Sequence, residues 1–493
     1  MDNLNSLPPD KENTTEHSGI TPDDIKSEVE KYLPVTSCID HSEVFEKLLG
    51  KIEEIDFREL AELTNKNVKL QKKHYLVCSI EHLIQKASEN NWGICRHLSF
   101  IYLYNGAYWE IAEKESFKLF LGKAVEKMGM DKFDAKLYYV QEQLFKQFIA
   151  VAHLPKPKNN TSKVLVNFKN GTFEIDAAKR KLRQPKPEDF ITYQLPFDYN
   201  PKAKAPLFET YLNTVQPDIE RQNILAEYIG YVFIKTSTLK LEKTLLLFGS
   251  GANGKSVFFE IINALLGGDA NVSNYSLQNL TSDNGYYRAM IANKLLNYSS
   301  EINGKLDTSI FKQLVSGEPL DARLPYGEPM IIKDFAKLIF NCNELPKECE
   351  HTNAYFRRFL IIPFDITIPA GQQDKELAVK IIRNELSGVF NWVLSGLDRL
   401  LFQKQFTVSE AVSRQLDEYK KQSDNIRFFL SEENYTVDAN QSKPLKELFS
   451  EYRSFCMESG FHFCSLLTFS ARLRNLGFRI ERKAIGNVVY IKK

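Results

Sequence analysis

No two cysteines in this chain stand in a CxxC pair, and the seven present (Cys38, Cys78, Cys95, Cys342, Cys349, Cys456, Cys464) are an odd number. A disulfide framework and a zinc knuckle or ribbon are both disfavoured by that pattern, which suits a reducing compartment. No apolar run approaches the ~18 residues that span a bilayer. The first residues have no apolar h-region, so no secretory signal is expected and a cytoplasmic protein is. Excess charge of one sign is missing too: 64 Lys and Arg face 63 Asp and Glu, a formal +1. That excludes a uniformly basic coat protein and an acidic disordered chain, but a local basic channel fits within a neutral total.

What is present is length and aromatic content. The 493 residues predict about three domains. The 34 Phe and 22 Tyr allow sizeable cores. Residues 1–30 hold eight acids against two bases and read as a disordered acidic tail. Val44, Leu48, Leu49, Ile52, Ile55 and Leu60 repeat at helical spacing within a helical stretch 31–90. Asn105-Gly106 between aromatic runs predicts a hairpin with a type I′ turn. Helical periodicity returns over 113–150, and a Pro-Lys-Pro linker follows at 155–157. A second short β region over 164–200 turns at Asn170-Gly171. The segment 207–237 reads as helical. Residues 376–402 read as one amphipathic helix, with Leu377, Ile381, Ile382, Leu386, Val389 and Trp392 on one face.

The chemistry lies between 244 and 365, where strands, a glycine loop, helices and a hairpin alternate, as in an α/β sheet. An apolar strand (Leu245 to Phe248) runs into Gly249, Ser250, Gly251, Ala252, Asn253, Gly254, Lys255 and Ser256, and an apolar-faced helix follows. This is GxxxxGK(S/T) in the strand–loop–helix context that the motif needs. Its glycines let backbone N–H groups close around a triphosphate at a helix N-terminus. Lys255 would reach the β and γ phosphates of ATP, and the Ser256 hydroxyl would ligate Mg²⁺.

Hydrolysis needs an acid at the end of a neighbouring strand. Glu301 closes the strand that starts at Lys294; the alternative is a solvated loop glutamate. Asn343 ends another apolar strand and could read a γ-phosphate or a water, or simply cap the next turn. Asn341, two residues earlier, shares its face. Arg357 and Arg358 precede the strand 359–364, as a surface edge or as a guanidinium that reaches a neighbouring subunit's triphosphate. Arg323, Tyr326 and Lys333 lie on a hairpin, with charge and a stacking face for nucleic acid or as ordinary turn residues.

Taken in order, the phosphate loop at 249–256, the strand ending at Glu301, the segment 311–333, the Asn343 strand and the arginine pair resemble a superfamily 3 helicase. The likeness is to the C-terminal half of phage and plasmid primase–helicases related to poxvirus-type enzymes, and it spans roughly 95–490. It implies an α/β AAA+ ATPase core with an α+β accessory domain and a winged helix. The corresponding boundaries are a tail at 1–30, an accessory domain at 31–205, the ATPase at 206–405 and a winged-helix-like DNA-binding domain at 422–493.

By the same resemblance the protein is an ATP- and Mg²⁺-dependent replicative DNA helicase of a phage or mobile element, working in the host cytoplasm. It forms a hexameric ring that draws single-stranded DNA past Arg323, Tyr326 and Lys333 and opens duplex at the fork. Arg358, ahead of Arg357, takes the place of the trans-acting finger. An ATP-switched origin-binding initiator without processive unwinding is the alternative function. Relatives commonly place two acids where this chain has Ser300 and Glu301. About 90 residues precede the accessory region, too few for a primase domain, so a separate primase is an expected partner. Independently, residues from 440 onward carry ten bases against four acids, which favours phosphate contacts.

Overall fold

The computed structural model describes residues 40–65, 67–90, 93–97, 100–152, 163–176, 179–300, 302, 306–325, 327–345 and 352–493. The acidic tail 1–30, the linker at 155–157, Glu301 and Tyr326 lie outside the described residues.

In the N-terminal body, Val44 and Leu48 fall one turn apart along helix His41–Lys51, Ile52 directly follows it, and all three are at most 1% exposed. Leu48 and Ile52 pack with helices Lys72–Glu89, Lys114–Lys127 and Tyr138–Val151 around Phe117, Leu121 and Phe148. The same body carries an antiparallel sheet of β1 (Ile94–His97), β2 (Phe100–Tyr104) and β3 (Trp109–Ile111). The expected type I′ turn is not what joins β2 to β3. Tyr104 pairs with Trp109, so the loop has four residues. The Asn105 side chain closes it, its Oδ1 accepting from the N–H groups of Ala107 and Tyr108, both at 3.0 Å. That Asx turn competes with the two-residue alternative for the same dipeptide.

A second antiparallel sheet follows: β4 (Val164–Phe168), β5 (Gly171–Ile175) and β6 (Arg180–Arg183). Its apolar face belongs to the core that also holds the central sheet, which runs without a break from Val164 to Val412. The expected boundary at 205/206 therefore crosses a continuous core.

The central sheet is parallel throughout, in the order β13-β7-β12-β9-β8. Its strands are β7 (Thr244–Phe248), β8 (Val272–Ser273), β9 (Leu296–Ser299), β12 (Lys337–Cys342) and β13 (Phe359–Pro363). Both faces are covered, which explains the near-continuous apolar runs Leu245–Leu247 and Phe359–Ile362. A separate hairpin, β10 (Leu320–Arg323) and β11 (Pro329–Ile332), projects between β9 and β12 in chain order.

Helices Ile219–Tyr231 and Leu386–Gln403 pack backbone to backbone. A Cβ on Gly396 would come within 2.3 Å of the Ala226 carbonyl carbon, so a larger residue there would part them. The expected single helix over 376–402 breaks into Leu377–Asn384 and Leu386–Gln403. At the break, the Glu385 carboxylate accepts from the N–H groups of Leu207 (3.1 Å) and Phe208 (3.0 Å), capping the helix Pro206–Val215.

The C-terminal body has its own core around Phe429, Leu448, Tyr452, Phe469 and Val489. Helices Asn425–Glu432, Leu445–Glu458 and Leu466–Asn475 pack on a sheet of β14 (Thr436–Pro444), β15 (Ile480–Lys483) and β16 (Gly486–Lys492), with β16 central. No helix among the described residues is long and apolar enough to cross a membrane.

Candidate nucleotide site and its opposite edge

Leu245, Leu246 and Leu247 are fully buried and hold β7 inside the sheet, between β13 and β12. Phe248 pairs with Cys342 on one side and Pro363 on the other, so the glycine loop leaves from between two strand tips. The loop is tied to both neighbours. Gly249 N–H donates to Cys342 O (3.2 Å), Phe364 N–H to Phe248 O (2.7 Å) and Ile368 N–H to Ala252 O (2.8 Å). The Asn253 amide donates to Phe364 O at 3.0 Å.

The turn needs left-handed backbone at Gly251 (φ +113°), Ala252 (+49°) and Gly254 (+87°). At Gly254 a side chain is excluded twice, since a Cβ would sit 2.7 Å from Val215 Cγ1. The Tyr211 hydroxyl donates to Gly254 O at 2.8 Å and pins the start of helix Lys255–Leu266.

Lys255 is 6% exposed, and its Nζ donates to Gly249 O (2.7 Å) and Asn253 Oδ1 (3.1 Å). Burial holds its pKa below the ordinary lysine value. Both oxygens are neutral, so this ammonium has no anionic partner of its own. A buried cation in that state is electrostatically incomplete, and an entering phosphate matches it. Ser256, one residue on, is exposed. Loop, lysine and hydroxyl thus fit a nucleotide with its Mg²⁺. Among the described residues, no three His, Cys, Asp or Glu side chains gather to hold a metal.

β12 lies between the loop strand and β9, which places its amides between the loop and the end of β9 at Ser299. Asn341, level with Leu247, is engaged: its Oδ1 accepts from the buried Tyr298 hydroxyl at 3.0 Å. Asn343 stands just past the end of β12 and is exposed.

The arginine pair lies at the opposite edge. Phe359 pairs with Thr244, the first residue of β7, whereas the loop leaves from the last. Four residue steps at ~3.3 Å put roughly 13 Å between those edges, so both arginines stand well away from the glycine loop of this chain. The family resemblance set Arg358 ahead of Arg357 as the finger; in the structure the two side chains differ in burial. The Arg358 side chain is 9% exposed, and it donates to Ser316 Oγ (3.0 Å) and to Ala354 O. Arg357 is 56% exposed, with its Nη2 2.7 Å from Glu242 Oε2. The Lys243 ammonium donates to Arg357 O and steadies that backbone.

On the hairpin, Arg323 is exposed, with its Nε donating to Gly327 O at 3.0 Å; Lys333 is exposed just beyond β11. Arg288 went unnoticed in the sequence. It is 1% exposed and donates to Asp321 O (2.8 Å), Asp321 Oδ2 (2.8 Å), Leu280 O (3.3 Å) and Ser282 O (2.5 Å), which clamps the hairpin base. Nothing in its local sequence marks a buried arginine.

The basic C-terminal stretch is less free than its count implies. Arg472 pairs with Asp424, Lys443 with Glu451, Arg479 with Glu481 and Lys493 with Glu433. Arg474 and Arg482 are exposed on the last helix and on β15.

Two family models match parts of the chain: "D5 N terminal like" over residues 81–217 and "Family of unknown function (DUF5906)" over 247–358. The second match begins in the glycine-loop strand and ends at Arg358. Among curated proteins, the chain is 26% identical over 215 residues to "Putative helicase L207/L206" of Acanthamoeba polyphaga mimivirus, covering 41% of this chain and 22% of that protein. It is 27% identical over 248 residues to "Putative helicase 184R" of Invertebrate iridescent virus 6, covering 45% and 24%. It is 22% identical over 339 residues to "Putative helicase 121R" of Invertebrate iridescent virus 3, covering 60% and 35%. The chain thus spans about a quarter to a third of the length of the curated relatives it matches. Among solved structures, the C-terminal region of NrS-1 aligns at 14% identity with a TM-score of 0.48, covering 84% of this chain and 98% of that one.

Proposed function

We propose that this protein is an ATP-dependent DNA helicase of a viral or mobile-element replication system, with a superfamily 3 AAA+ core that works as a homo-oligomeric, hexameric ring. The observation that carries the proposal is the buried Lys255 ammonium, held by neutral oxygens inside a glycine loop at a helix N-terminus. The likeness to viral proteins named as helicases supports the choice of reaction.

The chemistry supplied from outside the chain is the phosphoanhydride of ATP with its Mg²⁺. Lys255 and the amides of 249–256 would hold the β and γ phosphates. Ser256 and Glu301 would hold Mg²⁺. Asn343, exposed at the tip of β12, would orient the attacking water or the γ-phosphate. Arg357 would act in trans; its exposed guanidinium, at the edge away from its own loop, supports that role. The hairpin bearing Arg323, Tyr326 and Lys333 would grip one DNA strand, and the winged-helix-like C-terminal body would add phosphate contacts through Arg474 and Arg482. A separate primase remains an expected partner.

The test is ATP turnover with Mg²⁺, with and without single-stranded DNA. The reading expects turnover that DNA stimulates and that Lys255→Ala abolishes. Turnover that survives in that variant overturns it.

A further inference from the structure

In the N-terminal body, the short helix Lys132–Lys136 meets helix Tyr138–Val151 at an elbow. One side of the elbow faces inward. Ala135 and Leu144 are fully buried and Val140 is nearly so, all within that body's core. The other side carries two aromatic rings in solvent: Phe133 is 78% exposed and Tyr138 is 82% exposed.

The mount is firm. Asp131 Oδ1 accepts from the N–H groups of Phe133 (2.9 Å) and Asp134 (3.1 Å), which caps the short helix. Leu137 N–H donates to Asp134 O (3.2 Å), and Val140 N–H donates to Leu137 O (2.9 Å), so the turn is closed on both sides. The rings of Tyr138 and Tyr139 stand perpendicular with centres 6.0 Å apart. The Lys72 ammonium lies 3.9 Å from the centre of the Tyr139 ring. Folding leaves Phe133 and Tyr138 with open faces on a backbone that holds them in place. Large apolar groups clustered on a surface in this way mark an interaction site.

Charge selects the occupant. Lys132 and Lys136 stand on either side of Phe133 and are exposed. Lys69, Lys72 and Lys73, also exposed, lead into helix Lys72–Glu89, whose start reaches Tyr139 through Lys72. The segments 69–73 and 131–139 thus carry five lysines against two aspartates, and Asp131 is engaged at the helix cap. The centre of a protein–protein interface is depleted in lysine. A single strand of nucleic acid needs the mixture found here, with cations for its phosphates and open rings for its unpaired bases. A duplex matches only the cations, because its bases are already stacked on one another.

We propose that this elbow is a binding surface for single-stranded nucleic acid, with Phe133 and Tyr138 stacking on unpaired bases and the lysines around them meeting the phosphates. The elbow belongs to a different core from the glycine loop, so the proposal does not rest on the helicase reading.

The test uses the full chain without nucleotide, in an Arg323→Ala background that removes the hairpin's contribution. Labelled oligo-dT and oligo-U are titrated by fluorescence anisotropy, beside a blunt DNA duplex. Phe133→Ser with Tyr138→Ser, at positions too exposed to disturb the fold, should weaken binding of at least one single strand about tenfold or more and leave the duplex unchanged. The strand that responds distinguishes DNA from RNA. Lys132→Gln with Lys136→Gln should lower the slope of log K against log salt by ~1.4, the share of two single-strand phosphate contacts. A 5-bromouracil in the responding strand should photocrosslink to Phe133 or Tyr138. Single-strand affinity that the ring variants leave unchanged overturns the proposal. So does an equal loss on the duplex, or a crosslink that never reaches these two residues. A change of oligomeric state with unchanged strand affinity overturns it too, and assigns the surface to a second copy of this chain.

Discussion

The guanidinium of Arg357 pairs with the carboxylate of Glu242 across 2.7 Å at the exposed edge of the sheet. Its neighbour Arg358 turns inward to Ser316. Adjacent residues of one type thus divide into a surface group and a structural one. If Arg357 acts in trans, Arg357→Ala lowers ATP turnover by ~10³ or more and leaves nucleotide affinity and thermal melting unchanged. Arg358→Ala should instead cost ~1–3 kcal/mol of stability, because it strands buried hydrogen-bond partners. Turnover assays beside urea titrations separate the two. Full turnover in Arg357→Ala removes it from the mechanism.

Arg288 makes a second, independent prediction. Four bonds to backbone and to Asp321 anchor the hairpin base. Arg288→Ala leaves several buried carbonyls unpaired and should cost at least ~3 kcal/mol. Hydrogen exchange over 320–332 should speed up before the rest of the sheet does. Exchange that rises uniformly, or not at all, contradicts the clamp.

These two arginines also mark the limit of what sequence shows. The glycine loop was legible because its chemistry is local: eight consecutive residues set the turn, the lysine and the helix start. The central strands were legible because burial on both faces writes itself as apolar runs. The different burial of Arg357 and Arg358 could not be read from the sequence, because both face Glu242 and only the fold brings Ser316 and Ala354 O to Arg358. The helix break at Glu385 was hidden for the same reason, since that carboxylate caps a helix about 180 residues earlier. At Asn105-Gly106 the dipeptide was read correctly as a turn, but the Asn side chain selected a longer loop than its commonest one.

Lys337 gives a pH signature. Its ammonium lies 4.3 Å from the Tyr231 ring centre and donates to Thr236 Oγ1 at 3.3 Å, and burial lowers its pKa to about 8. The unfolded chain then binds more protons between that value and the ordinary 10.5. Folding stability should therefore rise with pH across this window and be lowest below it. Urea midpoints of wild type minus Lys337→Met, followed from pH 7 upward, should climb through the window. A flat difference rejects the buried, protonated lysine.

Arg323 belongs to the exposed hairpin. Arg323→Ala should weaken oligo-dT binding and reduce the slope of log K against log salt by ~0.7, the share of one single-strand phosphate contact. An unchanged slope in a fluorescence-anisotropy salt series excludes the contact.

The most direct test of the central claim is strand displacement from a forked DNA with Mg-ATP. The account predicts that wild type releases the labelled strand and that Lys255→Ala, with its loop intact, releases none. ATP hydrolysis without any displacement, or displacement that persists in Lys255→Ala, would contradict it.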